Sequence, residues 1–184
     1  MENDDDVTRI VAGYRKPDVI QHRAEDEEIV LRLLNDPDID GLALDLVFIL
    51  NDSIVGRAIS NSDHLRMLQI DGGGGRRYQT FFVWLAHNRS IECLDLKLDL
   101  DFTVLAPFFE HNTNLRCITM LCCDEGSDTI STLISVLSQS RMNRLARIDL
   151  CASYISDKQA ADLFTTLNGM PGLQNLLELI CGVT

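Results

Sequence analysis

The stretch Asn88–Lys97, NRSIECLDLK, places hydrophobic side chains at Ile91, Leu94 and Leu96, an L-x-x-L-x-L pattern that follows a polar corner. It reads as a short strand with Leu94 and Leu96 on one face and Cys93, Asp95 and Lys97 on the other, because strand side chains alternate. The spacing returns on both sides. Leu65-x-x-Leu68-x-Ile70, Leu115-x-x-Ile118-x-Met120 and Leu145-x-x-Ile148-x-Leu150 repeat it in full. Gly41-x-x-Leu44-x-Leu46 repeats it with glycine in first place, and Leu173-x-x-Leu176 with Glu178 in third. The four intact copies start 26, 24 and 30 residues apart, a period that fits one strand and one helix per unit.

Between these copies the periodicity becomes helical. Phe81, Phe82 and Leu85, with Trp84 close by, then Val104, Leu105, Phe108 and Phe109, then Ile130, Leu133, Ile134 and Leu137, and last Ala160, Leu163, Phe164 and Leu167 form stripes near i, i+3, i+4 and i+7. Each stripe predicts a helix that covers a strand. Glu27 to Leu34 predicts a leading helix, stopped before Pro37. His87-Asn88, His111-Asn112 and Asn168-Gly169 read as helix stops in the left-handed conformation, while Asp52-Ser53, Ser127-Asp128 and Ser156-Asp157 read as starts.

The repeats resemble the leucine-rich repeat family, and their lengths look most like its ribonuclease-inhibitor-like and cysteine-containing classes. That resemblance implies an α/β solenoid, curved, with parallel strands on the concave face and helices on the convex face. It covers the region 26–184 as about six repeats, after an acidic segment 1–25 expected to be partly disordered. The family's Asn or Cys at the ninth position is kept only as Cys123 and Cys181; Gly73, Asp99, Ser153 and Ile49 stand at the equivalent sites.

Composition narrows the function. With 184 residues and 46% hydrophobic content, the chain can build one domain with a substantial core. A net charge of −12 opposes attraction to nucleic acid and to anionic membranes, and favours a basic partner. The start, MENDDDVTRI, has no signal-peptide character, and the apolar run around Leu42 to Leu50 is too short to cross a bilayer, so a cytoplasmic or nuclear location is expected. The six cysteines are then expected as thiols, and Cys93 and Cys117, at the same place on neighbouring strands, as reduced side chains close enough for a reversible disulfide.

Enzyme signatures are absent. The glycine run Gly72–Gly75, followed by Arg76 and Arg77, invites comparison with a phosphate loop, but neither G-x-G-x-x-G nor G-x-x-x-x-G-K-[ST] fits. It occupies the turn from strand to helix and reads as a flexible connection. Asp99 and Asp101 sit at another such turn without the rest of a calcium loop. No cofactor, metal or catalytic group is expected. The resemblance leaves two alternatives: a GTPase-activating protein of the Ran type, and a substrate-receptor fragment of the F-box type.

The expected site is the exposed face of the strands, where another protein with a basic surface would bind. The alternation assigns Asp45, Met67, Gln69, Asp71, Asp95, Lys97, Arg147 and Asp149 to it, with Asp45, Asp95 and Asp149 at the central, fifth place of their copies. In the last copy two registers are open. As aligned, Glu178 faces the core; slipped by one residue, Leu177 and Leu179 are buried and Glu178 joins the exposed acids at the fifth place. The chain closes on this strand without a polar cap, which leaves three readings: a longer array, edge-mediated self-association, or a poor cap.

Overall fold

A computed structural model of the chain describes residues 27–49, 51–72, 78–98, 102–121, 129–139, 144–151, 156–169 and 178–181. The expectations for segment 1–25, Gly73–Gly75 with Arg76 and Arg77, Asp99 and Asp101, Cys123, Ser127-Asp128, Ser153 and Leu173 to Leu177 fall outside these residues.

The described elements alternate between helix and strand. They are α1 (Glu27–Leu34), β1 (Gly41–Asp45), α2 (Asp52–Asn61), β2 (Met67–Asp71), α3 (Gln79–Leu85), β3 (Cys93–Lys97), α4 (Ala106–His111), β4 (Cys117–Leu121), α5 (Thr129–Ser138), β5 (Arg147–Cys151), α6 (Asp157–Gly169) and β6 (Glu178–Cys181). Two 3₁₀ turns, Leu46–Phe48 and Phe102–Leu105, follow β1 and precede α4. The six strands form one parallel sheet in chain order, β1 to β6. This is a mixed α/β fold in which each crossover carries a helical segment.

One hydrogen-bond motif sets the register of four neighbouring strand pairs. The carbonyl of the residue just before a strand accepts two N–H groups from the next unit. Asp40 accepts from Arg66 and Met67 at 2.7 and 2.9 Å, Arg66 from Glu92 and Cys93 at 2.7 and 2.9 Å, Glu92 from Arg116 and Cys117 at 2.7 and 3.0 Å, and Arg116 from Ala146 and Arg147 at 2.8 and 3.0 Å. Consequently Leu68, Leu94, Ile118 and Ile148 stand side by side, and Ile70, Leu96, Met120 and Leu150 form a second row. All eight are at most 1% exposed. They share a core with Phe81, Phe82, Leu85, Phe108, Phe109, Leu133, Leu137, Leu163 and Leu167 of the helices, so the helices cover this face of the sheet.

The outer copies sit differently from the expected alignment. Leu42 pairs with Leu68 and Leu44 with Ile70, so the first copy is Ile39-x-x-Leu42-x-Leu44 with no glycine in first place. The slip is two residues, which keeps every side chain on its face; alternation alone therefore could not detect it. In β6, Leu179 stands beside Ile148 and Glu178 beside Arg147, so neither expected register of Glu178 holds. The run Leu176-Leu177-Glu178-Leu179-Ile180 offers an apolar residue at nearly every place, and pairing with β5 makes the choice.

The helix ends also differ in detail. Asn51, not Asp52, caps α2: its side chain accepts from the N–H of Ile54 at 3.3 Å, and its own N–H donates to Glu27 of α1. Asn112 has φ −87° and ψ 100°, which is extended and not left-handed. Phe164, counted in the apolar stripe of α6, is 53% exposed. Ser156 starts α6 as expected, with a reciprocal capping pair: the Gln159 N–H donates to Ser156 Oγ at 3.3 Å, and the Ser156 N–H donates to Gln159 Oε1 at 3.1 Å. Ser156→Ala should lower stability by about 1 kcal/mol, measured by urea unfolding; an unchanged midpoint would show that the cap contributes nothing.

Candidate functional site

The face of the sheet away from the helices carries the other half of each strand. Parallel pairing arranges its residues in three rows. The first holds Gly41, Met67, Cys93, Cys117 and Arg147; the second Ala43, Gln69, Asp95, Thr119 and Asp149; the third Asp45, Asp71 and Lys97. Asp45, Met67, Gln69, Asp71, Asp95, Lys97 and Arg147 are all partly exposed here. Asp149 is placed otherwise, at 8% exposure. The corrected register also moves Asp45 from the central row to the third, directly beside Asp71, so that only Asp95 and Asp149 remain central acids.

Local partners answer most of this charge. Along β3 the Lys97 ammonium lies 3.7 Å from Asp95, and along β5 the Arg147 guanidinium donates to Asp149 at 3.1 Å. On β2 the Gln69 amide donates to Asp71 at 2.9 Å, and the Asp45 carboxylate accepts from the Val47 N–H at 3.0 Å, starting the 3₁₀ turn. The three side-chain pairs lie two residues apart on one strand, where side chains share a face. The face is therefore a set of short ion pairs and amide contacts with an acidic end at β1 and β2. At its other margin, Arg66 and Arg116 flank Glu92 at 4.0 and 3.3 Å.

Within the first row, Cys93 and Cys117 are register partners, and Arg147 is the next residue beyond Cys117. Both thiols are free. Their mutual hydrogen bond, in which Cys93 donates, holds Cys117 below the ordinary thiol range; burial opposes this, and the Arg147 guanidinium and Thr119 hydroxyl support it. The same hydrogen bond and burial push Cys93 up. Among the described residues no three His, Cys, Asp or Glu side chains converge to hold a metal ion, and no helix is long and apolar enough to cross a membrane.

The structure adds residues that the sequence reading assigned only to helix ends. Asn88 and Asn112 are fully buried. Asn88 donates to the carbonyls of Ile59 and Ser62 at 2.8 and 3.0 Å and accepts from the N–H groups of Ser90 and Ile91, each at 2.9 Å. Asn112 donates to Ile91 at 3.1 Å and accepts from Asn114 and Leu115 at 2.9 and 3.0 Å. Each tightens its own helix-to-strand corner and bonds the preceding unit. The available signal was their shared offset, three residues before Ile91 and Leu115, with Ser62 at the same offset before Leu65.

No protein-family model matches the chain, and no curated protein matches it. Solved structures do. The tropomodulin C-terminal domain from Caenorhabditis elegans is similar over 78% of this chain and 92% of its own, with 12% identity and a TM-score of 0.56. The Leiomodin-1 actin-binding site 2 is similar over 77% of this chain and 87% of its own, with 14% identity and a TM-score of 0.55. These findings overturn the assignment to the ribonuclease-inhibitor-like and cysteine-containing leucine-rich repeat classes. The pattern behind it was a core spacing, which any stack of strand–helix units needs, and at such identity the likeness shows the fold alone.

Proposed function

We propose that this chain is a non-enzymatic scaffold, a solenoid of stacked strand–helix units that binds another protein on the open face of its sheet. One observation carries the reading: the helix-facing rows of β1 to β5 are buried, whereas the opposite face keeps charged and amide side chains in register and, Asp149 apart, partly exposed. A partner with basic groups suits it best. Asp45 and Asp71 are like charges on neighbouring strands, an arrangement that opposes folding of the isolated chain and that an incoming Lys or Arg would relieve. The Leiomodin-1 actin-binding site shares the fold, which makes actin the first protein to test.

The test is co-sedimentation and titration calorimetry over a range of salt concentrations. Asp45→Asn, Asp71→Asn and Asp95→Asn combined should weaken binding of a basic partner by about 1–2 kcal/mol, roughly 5- to 30-fold, and flatten its salt dependence. Unchanged affinity and slope would remove the acids from the account. Acceleration of GTP hydrolysis by a small GTPase would overturn the non-enzymatic reading. Self-association through the outer edge of β6 predicts a mass that rises with concentration; a constant monomer mass excludes it.

A further inference from the structure

We infer that Cys93 and Cys117 form a redox modification site on the open sheet face: a hydroperoxide oxidises Cys117, and Cys93 resolves the product to a cross-strand disulfide. The geometry comes first. The two residues are direct register partners on neighbouring parallel strands, whose spacing of about 4.8 Å falls within the roughly 4.4–6.8 Å between Cα atoms that a disulfide spans. Their side chains leave the same face of the sheet, and each thiol is the largest influence on the other's titration.

The surroundings divide the labour. Cys117 is partly exposed, while Cys93 is buried, with 9% exposure. Cys117 lies between the thiol of Cys93 and the strand that carries Arg147, and its own strand supplies the Thr119 hydroxyl. A donor on one side, a cation on the other and a hydroxyl beside it all stabilise negative charge on its sulfur. Asp149, on the same strand as Arg147, and the burial of the thiol oppose this. Arg147 bonds Asp149 as well, so its charge is shared. Pairing with Cys117, burial and the charge of its chain neighbour Glu92 push the Cys93 thiol up.

The chemistry balances with a hydroperoxide as oxidant. The Cys117 thiolate attacks one peroxide oxygen, the O–O bond breaks, and the leaving alkoxide or hydroxide takes a proton from water. Sulfur is oxidised to the sulfenic acid as the peroxide is reduced to alcohol or water. The Cys93 sulfur, giving up its proton, then attacks the Cys117 sulfur. The S–O bond breaks, the S–S bond forms, and the departing hydroxide leaves with that proton as water.

The test uses the full reduced chain and limiting hydrogen peroxide, followed by alkylation of remaining thiols and peptide mass spectrometry. Cys93 and Cys117 should disappear together, appear as joined peptides, and return with dithiothreitol. Cys93→Ser should stop at a Cys117 sulfenic acid that dimedone traps. Cys117→Ser should slow loss of the Cys93 thiol at least about tenfold. A link between other cysteines, no dimedone adduct on Cys117, or an unchanged rate in Cys117→Ser would overturn the assignment. A measurement without substitutions guards against misfolded variants: iodoacetamide should label Cys117 of the native chain at least about tenfold faster than Cys93, and equal rates would also overturn it.

Discussion

Replacing Asn88 with alanine is expected to destabilise the chain by about 3–5 kcal/mol, as much as emptying a core position, although no hydrophobic surface is lost. The side chain is fully buried and answers four backbone groups: the carbonyls of Ile59 and Ser62 and the N–H groups of Ser90 and Ile91. Leaving a buried polar group without a partner costs about 1–3 kcal/mol, and water entering the vacated space recovers only part of the total. Asn88→Ser supplies an internal control. Ser62 occupies the equivalent corner and accepts from the Leu65 N–H at 3.2 Å, so serine at 88 should recover the acceptor half of the role and fall between the two. Equilibrium urea unfolding of the three chains reads this directly. Equal stability of wild type and Asn88→Ala would mean that the corner is held by hydrophobic packing alone.

This asparagine also shows where the sequence was legible and where it was not. Hydrophobic spacing located the four central strands because Leu68, Leu94, Ile118 and Ile148 have no leucine, isoleucine or valine immediately beside them. It misaligned the first copy because Leu42, Leu44 and Leu46 all lie on one face, and a shift of two changes nothing that alternation can sense. The last copy went astray for the opposite reason, an excess of apolar choices. Asn88 and Asn112 were placed at the right corners with the wrong physics: propensity for a turn is a local property, whereas their bonds reach back 21 to 29 residues to the previous unit. On the open face, alternation identified the residues, yet it could not reveal that Asp95, Asp149 and Asp71 each meet a neighbour two places away on their own strand.

Phe82→Ala should cost about 4–5 kcal/mol, the upper part of the range for a buried aromatic, because the surrounding helices are poorly able to close on the cavity. Phe82 is fully buried and packs edge to face on Phe81, with ring centres 5.3 Å apart and planes at 85°. Its helix, α3, is pinned against α2. A methyl group at Gly56 of α2 would stand 3.1 Å from both the Phe81 carbonyl and the Trp84 Cβ, so the two backbones are already at contact distance there. The Trp84 indole N–H also donates to Ser53 at 3.2 Å, fixing the helices in rotation. With α3 unable to slide, the void left by the ring persists, and cost rises with residual cavity volume. Phe82→Leu, which refills most of the space, should cost less than half as much. If Phe82→Ala lowers the urea midpoint with an unchanged slope, the chain unfolds as one unit; if the slope falls as well, the units nearest α3 separate first and the stack is not fully cooperative. A loss below about 1.5 kcal/mol would show that α2 and α3 do move together, and the tight contact at Gly56 would lose its role as the pin.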